Sequence, residues 1–392
     1  MFNHIDRTGT YDNKSNLPRQ KFNNNELISL GCADSEIAIA EPIQQAITHR
    51  VAHPIFGYTQ HYEDFYTSIQ QYYERHHSVK IEKDQMFFTP GVVSAIAISL
   101  KELLKDGGAV CMLHPEYPPF ENVCKAAGYA MEFIHMHEDA NLKYSIDFNQ
   151  VEEKLQKSKV FLYSNPHNPT GNVLSEDLSK IIKICEQYNV TILSDEIWAD
   201  FCYVPFTSIL KQATKNVVCF YSVSKSFNIA GMQMAFTVCQ DPPLLARLKS
   251  ASEQLHVSPS NPIALAAIQA ATTSCDDWLL KFKDFIRENQ LFVINFLQNN
   301  MPLIRTRLPE STFLLFLDFS ALFKTAEEAL AFCVKQGVFL QPGTDFCARC
   351  NCKLRMNVTS GRDVIENALK KIKIGYDQLR KERSKDQKVD KE

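Results

Sequence analysis

Between about residues 85 and 240 the chain alternates two textures, and this alternation restricts its fold more than any other feature. Short apolar runs recur at 109–113, 131–135, 160–164, 191–194, 217–222 and 234–239. A short apolar run bounded by turn residues reads as a strand buried on both faces. Amphipathic stretches lie between some of these runs. One covers 175–188, with Leu178, Ile181, Ile182 and Cys185 at helical spacing. The pattern predicts an α/β domain whose mainly parallel sheet is covered by helices on both faces. Beyond about 245 the pattern turns helical. It then gives a strand at 313–318, a helix at 326–336, a short run at 338–340, a strand at 353–358 and a last helix from Arg362. This second part reads as a smaller α+β domain, on which the N-terminal segment packs.

The expected division is a large domain over 46–285, a small domain over 1–45 and 286–377, and a charged C-terminal tail over 378–392. That tail carries few apolar residues and reads as a fraying helix end or a disordered extension. A chain of 392 residues buries about three quarters of its unfolded surface and needs no staple. The net charge of −3 gives no basic excess to hold nucleic acid. No apolar run is long enough to span a bilayer, so neither nucleic acid nor membrane is an expected partner. The polar N-terminus lacks the apolar core of a signal peptide. The twelve cysteines therefore read as mostly reduced, buried thiols in a cytoplasmic protein. Cys347, Cys350 and Cys352 cluster, but no second Cys or His pair follows at ligand spacing, and structural zinc wants four ligands. No metal is expected.

In sheets of this kind ligands sit beyond the carboxyl ends of the strands. After 86–88 comes Thr89-Pro90-Gly91-Val92-Val93, which is either a plain turn or a turn opening a helix whose free N–H groups suit a phosphate. After 160–163 comes Ser164-Asn165-Pro166-His167-Asn168-Pro169-Thr170-Gly171. It forces a rigid turn, and Asn168 between prolines can offer a fixed amide donor. After 191–193 comes Ser194-Asp195-Glu196, where Asp195 either caps a helix or fixes a cationic ring nitrogen. After 217–221 comes Ser222-Val223-Ser224-Lys225-Ser226-Phe227-Asn228. Lys225 is either a surface lysine in a serine-rich turn or a desolvated amine free to form a Schiff base.

Asn168, Asp195 and Lys225 lie in order, 27 and then 30 residues apart, each after a predicted strand. Together they resemble the pyridoxal 5′-phosphate enzymes of the class I/II aminotransferase superfamily, from Phe56 to about Arg362. The resemblance implies the fold of that group, with a seven-stranded sheet in the large domain. It implies that Lys225 carries the cofactor, that Asp195 keeps the pyridine nitrogen protonated, and that Asn168 bonds the ring hydroxyl. It makes Tyr117, in His114-Pro115-Glu116-Tyr117-Pro118, the aromatic residue stacked on the ring. Val92, Val93, Ser222 and Ser224 become the phosphate cup. Tyr58, in Phe56-Gly57-Tyr58, becomes the tyrosine that reaches a partner subunit's phosphate, which implies a homodimer. Arg355, in Leu354-Arg355-Met356-Asn357, becomes the clamp on the α-carboxylate of an amino-acid substrate.

Further residues resemble the MalY/PatB group of cystathionine and cysteine-S-conjugate β-lyases. They are Ile5-Asp6-Arg7-Thr8-Gly9-Thr10, Phe56-Gly57-Tyr58 and the run 225–231. Gln233 stands where many aminotransferases carry a phosphate-binding arginine. Two positions depart from the group: Ala33-Asp34-Ser35-Glu36-Ile37 replaces Ala-Asp-Met-Asp-Phe, and Trp198 replaces a histidine. Trp198 reads as a packing residue under the sheet. The resemblance implies a carbon–sulfur β-lyase, with an aminotransferase on the same scaffold as the alternative.

Overall fold

The computed structural model describes residues 2–257 and 261–389. Its central strands are apolar at nearly every position, so both sheet faces must be covered. Seven strands form one sheet: β1 (Met86–Thr89), β2 (Ala109–His114), β3 (Ala130–His135), β4 (Val160–Ser164), β5 (Thr191–Asp195), β6 (Val217–Tyr221) and β7 (Ala235–Val238). Their order is β1-β7-β6-β5-β4-β2-β3. The neighbours β6-β5-β4-β2-β3 are parallel. β7 pairs antiparallel with both β1 and β6, so β1 runs in the direction of β6. The expected mainly parallel α/β sheet is borne out.

One face of this sheet presents Val110, Met112, Leu162, Leu193, Val218 and Phe220. They pack with Val92, Ala95, Ile96 and Leu100 of α2 (Val92–Leu103), Phe120 of α3 (Pro118–Ala127) and Leu248 of α5 (Pro242–Gln254). Each large side chain buried in this way contributes about 1.5–3 kcal/mol. The opposite face carries Cys219 and Tyr221, which meet Tyr73 of α1 (Glu63–His77); the Tyr73 and Tyr221 rings stand edge to face, centroids 5.2 Å apart. The amphipathic stretch at 175–188 folds as α4 (Leu178–Gln187), burying Leu178, Ile181, Ile182 and Cys185.

The chain divides into two compact units, one of Ile39–Lys281 with Glu310–Thr312, the other of Met1–Ala38, Phe282–Pro309 and Phe313–Glu392. The first holds the large sheet. The second holds an antiparallel sheet of β8 (Leu314–Asp318), β9 (Gln341–Pro342) and β10 (Lys353–Asn357), in the order β8-β10-β9. A parallel pair, Ile28–Ser29 with Val338–Phe339, joins it, as do α6 (Ala326–Lys335) and α7 (Arg362–Val389). The charged stretch from 378 continues α7 to Val389, and residues 390–392 lie outside the described residues. Among the described residues no helix is long and apolar enough to cross a membrane.

Candidate active site

Six strands of the large sheet point their carboxyl ends at one edge, because β1 shares the direction of the five parallel strands. The ends of five of them, β1, β2, β4, β5 and β6, and the segments that follow carry Val92, Val93, Tyr117, Asn168, Asp195, Ser222, Ser224 and Lys225. Topology therefore brings eight of the ten expected site residues to one edge. The other two lie elsewhere in the chain. Tyr58 is fully exposed between the helix Glu41–Ala52 and α1. Arg355 belongs to the smaller unit.

Asp195 ends β5, with Ser164 of β4 and Phe220 of β6 as its neighbours in register. It is buried, and its Oδ1 accepts from the Ile197 N–H at 3.0 Å. Burial pushes its carboxyl up to about 7; Glu116 and Glu196 push the same way, while the Ile197 N–H and Lys225 pull it down. Burial thus disfavours the ionised carboxylate, which a cationic group beside it would favour. Lys225 is half-buried, and its Nζ lies 5.9 Å from the centre of the Trp198 ring. Trp198 is buried, as a packing residue should be, but its ring also faces the lysine amine.

The turn Thr89–Gly91 opens α2. Gly91 adopts φ 95° and ψ 160°, and no side chain caps the helix. That backbone region is essentially reserved for glycine. The first-turn N–H groups, at Val92 and Val93, are thus oriented by a glycine and offered to an anion. Ser222 donates from Oγ to the Met234 carbonyl at 2.8 Å and accepts from the Ser224 N–H at 3.2 Å, which folds the serine loop in front of Lys225. Gln233 is exposed and left-handed, at φ 47° after the turn Ala230–Met232.

Sequence reasoning gave Glu116 no role, yet it organises the neighbouring loops. Its carboxylate is buried and accepts from Ser164 Oγ at 2.6 Å, the Ser164 N–H at 3.1 Å and the Tyr117 N–H at 2.9 Å. His167 Nε2 lies 3.6 Å away. Ser164 Oγ in turn accepts from the Asn168 N–H at 3.1 Å. One carboxylate therefore fixes the backbones of both Tyr117 and Asn168. The signal was an acidic residue between two prolines just beyond a buried strand, where burial demands partners. Tyr117 caps α3 and packs edge to face on Phe120, centroids 5.5 Å apart.

In the smaller unit Arg355 sits on β10, buried, opposite Phe316 and Gln341. Its guanidinium donates to the Gly31 carbonyl at 3.0 Å and to Gln341 Oε1, and lies over the Phe346 ring at 4.8 Å. The two departures Ser35 and Glu36 make contacts within that unit. Ser35 Oγ donates to the Thr359 carbonyl, and Glu36 pairs with the buried Lys14 at 2.7 Å. Cys347 and Cys350 are buried, and the Cys352 thiol donates to the Lys324 carbonyl at 3.1 Å.

These donors suit a ligand with an aromatic cationic nitrogen, a phosphate and a carbonyl carbon. Asp195 answers the first, the glycine-opened start of α2 the second, and the Lys225 amine the third. Comparison with known proteins agrees. The family model for aminotransferase class I and II matches residues 31–372. Cystathionine beta-lyase PatB of Bacillus subtilis is 29% identical over 380 residues, spanning 94% of this chain and 97% of its own. Cystalysin from Treponema denticola, whose crystal structure contains pyridoxal 5′-phosphate, is 26% identical with a TM-score of 0.92, covering 96% and 98% of the two chains. The pyridoxal-phosphate-bound C–S lyase from Staphylococcus hominis is 25% identical with a TM-score of 0.89, covering 95% and 96%.

Proposed function

Since the chain belongs to the class I and II aminotransferase family, we propose that it is a carbon–sulfur β-lyase. It is a pyridoxal-phosphate-dependent enzyme, and we take its substrates to be L-cystathionine or related cysteine S-conjugates. The observation that carries this reading is the pairing of Asp195 and Lys225 at the ends of adjacent parallel strands, in a chain that aligns almost end to end with a cystathionine β-lyase.

When bound, the cofactor supplies an electron sink for the bond to the substrate Cα. Lys225 would hold the cofactor through its amine and would move the proton at the substrate Cα. Asp195 would keep a proton on the ring nitrogen, and Asn168 would offer its amide to the ring hydroxyl. Tyr117 would pack on the ring. The N–H groups at Val92 and Val93, with Ser222 and Ser224, would bind the phosphate. Arg355 would take the α-carboxylate of the substrate as a bidentate pair. The β-sulfur leaves as a thiol, so that cystathionine and water give homocysteine, pyruvate and ammonia. The exposed Tyr58 supports a homodimer in which it reaches the partner's phosphate. A cytoplasmic location belongs to the same reading.

An aminotransferase reaction is the second reading. Trp198 favours it, since it stands beside Lys225 where the β-lyase group usually carries histidine. Purified, cofactor-loaded protein given L-cystathionine and no oxo acid separates the two. Steady pyruvate with matching homocysteine establishes elimination. Turnover only after a 2-oxo acid is added establishes transamination.

A further inference from the structure

Behind the sheet, on the face opposite the one that packs against α2, lies a buried polar cluster that the reaction above does not use. Its centre is Asp200, in the turn Ala199–Phe201 that follows β5. The carboxylate is inaccessible to solvent. Its Oδ1 lies 3.2 Å from His77 Nε2. Its Oδ2 accepts from Tyr221 OH at 2.6 Å, from Tyr72 OH at 2.8 Å and from Ser226 Oγ. Burial opposes a charge here, but the His77 hydrogen bond and charge, with Ser226, outweigh it and hold the carboxyl well below the usual carboxylate range. Such a concentration of donors on one buried carboxylate is costly to assemble and strongly directional.

The donors come from informative places. Tyr72 and His77 belong to α1. Tyr221 is the last residue of β6, and Ser226 directly follows Lys225. The segment 222–225 is thus held at both ends by one group, which itself stands five residues beyond Asp195. We propose that Asp200 is a positioning residue that ties the turn after Asp195 to both ends of the Lys225 segment, and so fixes the lysine amine relative to the Asp195 carboxylate. Ser226 is the arm of this device nearest the lysine. The Tyr72 hydroxyl ties Asp200 to α1; its ring also meets Phe227 edge to face, centroids 6.1 Å apart, a contact that phenylalanine keeps. The inference rests on the reading of Lys225 as the cofactor-carrying residue.

The test compares Ser226→Ala, Ser226→Thr and Tyr72→Phe with the parent. Each keeps Asp200 and its remaining partners. Cofactor-free protein is mixed with pyridoxal 5′-phosphate, the adduct is trapped with borohydride at successive times, and the modified lysine is identified by peptide mass spectrometry. Melting temperature is measured alongside. Because misplacing a reacting group by about 1 Å costs up to about a hundredfold, Ser226→Ala should slow capture at Lys225 by roughly tenfold. Ser226→Thr, which keeps the hydroxyl, should restore the rate. Tyr72→Phe should lower the melting temperature while leaving capture within about twofold of the parent, since it removes a hydrogen bond but no tie to the lysine. Equal capture by Ser226→Ala and the parent overturns the proposal, as does an equal slowing by Tyr72→Phe. Trapping of the parent at a lysine other than Lys225 instead overturns the assignment of the cofactor-carrying residue.

Discussion

Replacing Asp195 with asparagine should stabilise the cofactor-free protein and at the same time weaken its hold on the cofactor. Asparagine keeps the shape and can still accept from the Ile197 N–H, but it never ionises. In the parent, burial raises the carboxyl from 3.8 to about 7. An acid whose folded pKa lies above its unfolded value binds more protons when folded, so stability falls as pH rises between those two values. With about 1.4 kcal/mol per pKa unit, the penalty is roughly 2 kcal/mol at pH 5 and roughly 4 kcal/mol at pH 8. The asparagine variant carries no such penalty, and carboxylates remote from the site titrate alike in both proteins. Urea unfolding of both apoproteins at pH 5 and pH 8 should therefore show the advantage of the variant growing by roughly 2–3 kcal/mol between the two. With cofactor added, the sign reverses. A charge-assisted hydrogen bond to the ring nitrogen contributes about 1.5–3 kcal/mol, so its loss should raise the Kd some ten- to a hundredfold. An advantage of equal size at both pH values would refute the claim that Asp195 is a desolvated carboxyl.

Lys225→Ala should abolish both turnover and borohydride-stable retention of the cofactor, as read by intact-protein mass; covalent retention by the variant would sink the lysine's assignment. Gly91→Ala meets no atom within 4 Å of the new Cβ but forces alanine to φ 95°. It should cost about 1–3 kcal/mol of stability and weaken competition by inorganic phosphate for the cofactor site. Glu116→Gln places an amide NH2 where the carboxylate accepts from Ser164 and Tyr117. Thermal unfolding should register a loss of about 1–3 kcal/mol, with slower cofactor capture.

The large sheet was legible because its buried parallel strands are apolar without interruption and end in turn residues. The run at 160–164 became β4, and the helical spacing of 175–188 became α4. Strand order was not legible. β7 is inserted antiparallel between β1 and β6, and such pairing between distant segments leaves no local period. Asn168, Asp195 and Lys225 could be placed because each lies at, or within four residues of, the end of its strand. Glu116 and Asp200 could not be assigned, because their roles exist only through partners far off in sequence, such as Ser164 and Tyr72. Trp198 was visible as a departure from the β-lyase pattern. Its position beside the Lys225 amine depends on how the two strand-end turns face each other.

The adjacent carboxylates Asp195 and Glu196 show what the strand's two-residue period accomplishes. Glu196 shares a face with Ser194, whose hydroxyl it meets at 3.3 Å, and turns into the core to accept from the Ile209 N–H at 2.8 Å and from Tyr73. Asp195 turns the other way. The sheet therefore acts as a partition one residue thick, with Asp195 on one side and a scaffolding acid on the other. Chemically the two are near twins, and only parity along the chain separates them. A single-residue deletion within β5 would move Glu196 into the position of Asp195 and Ile197 into that of Glu196. The longer glutamate would then occupy the face that Asp195 holds, and an apolar side chain would leave the Ile209 N–H without its acceptor. Identity of residue alone does not assign the work here; odd or even position does.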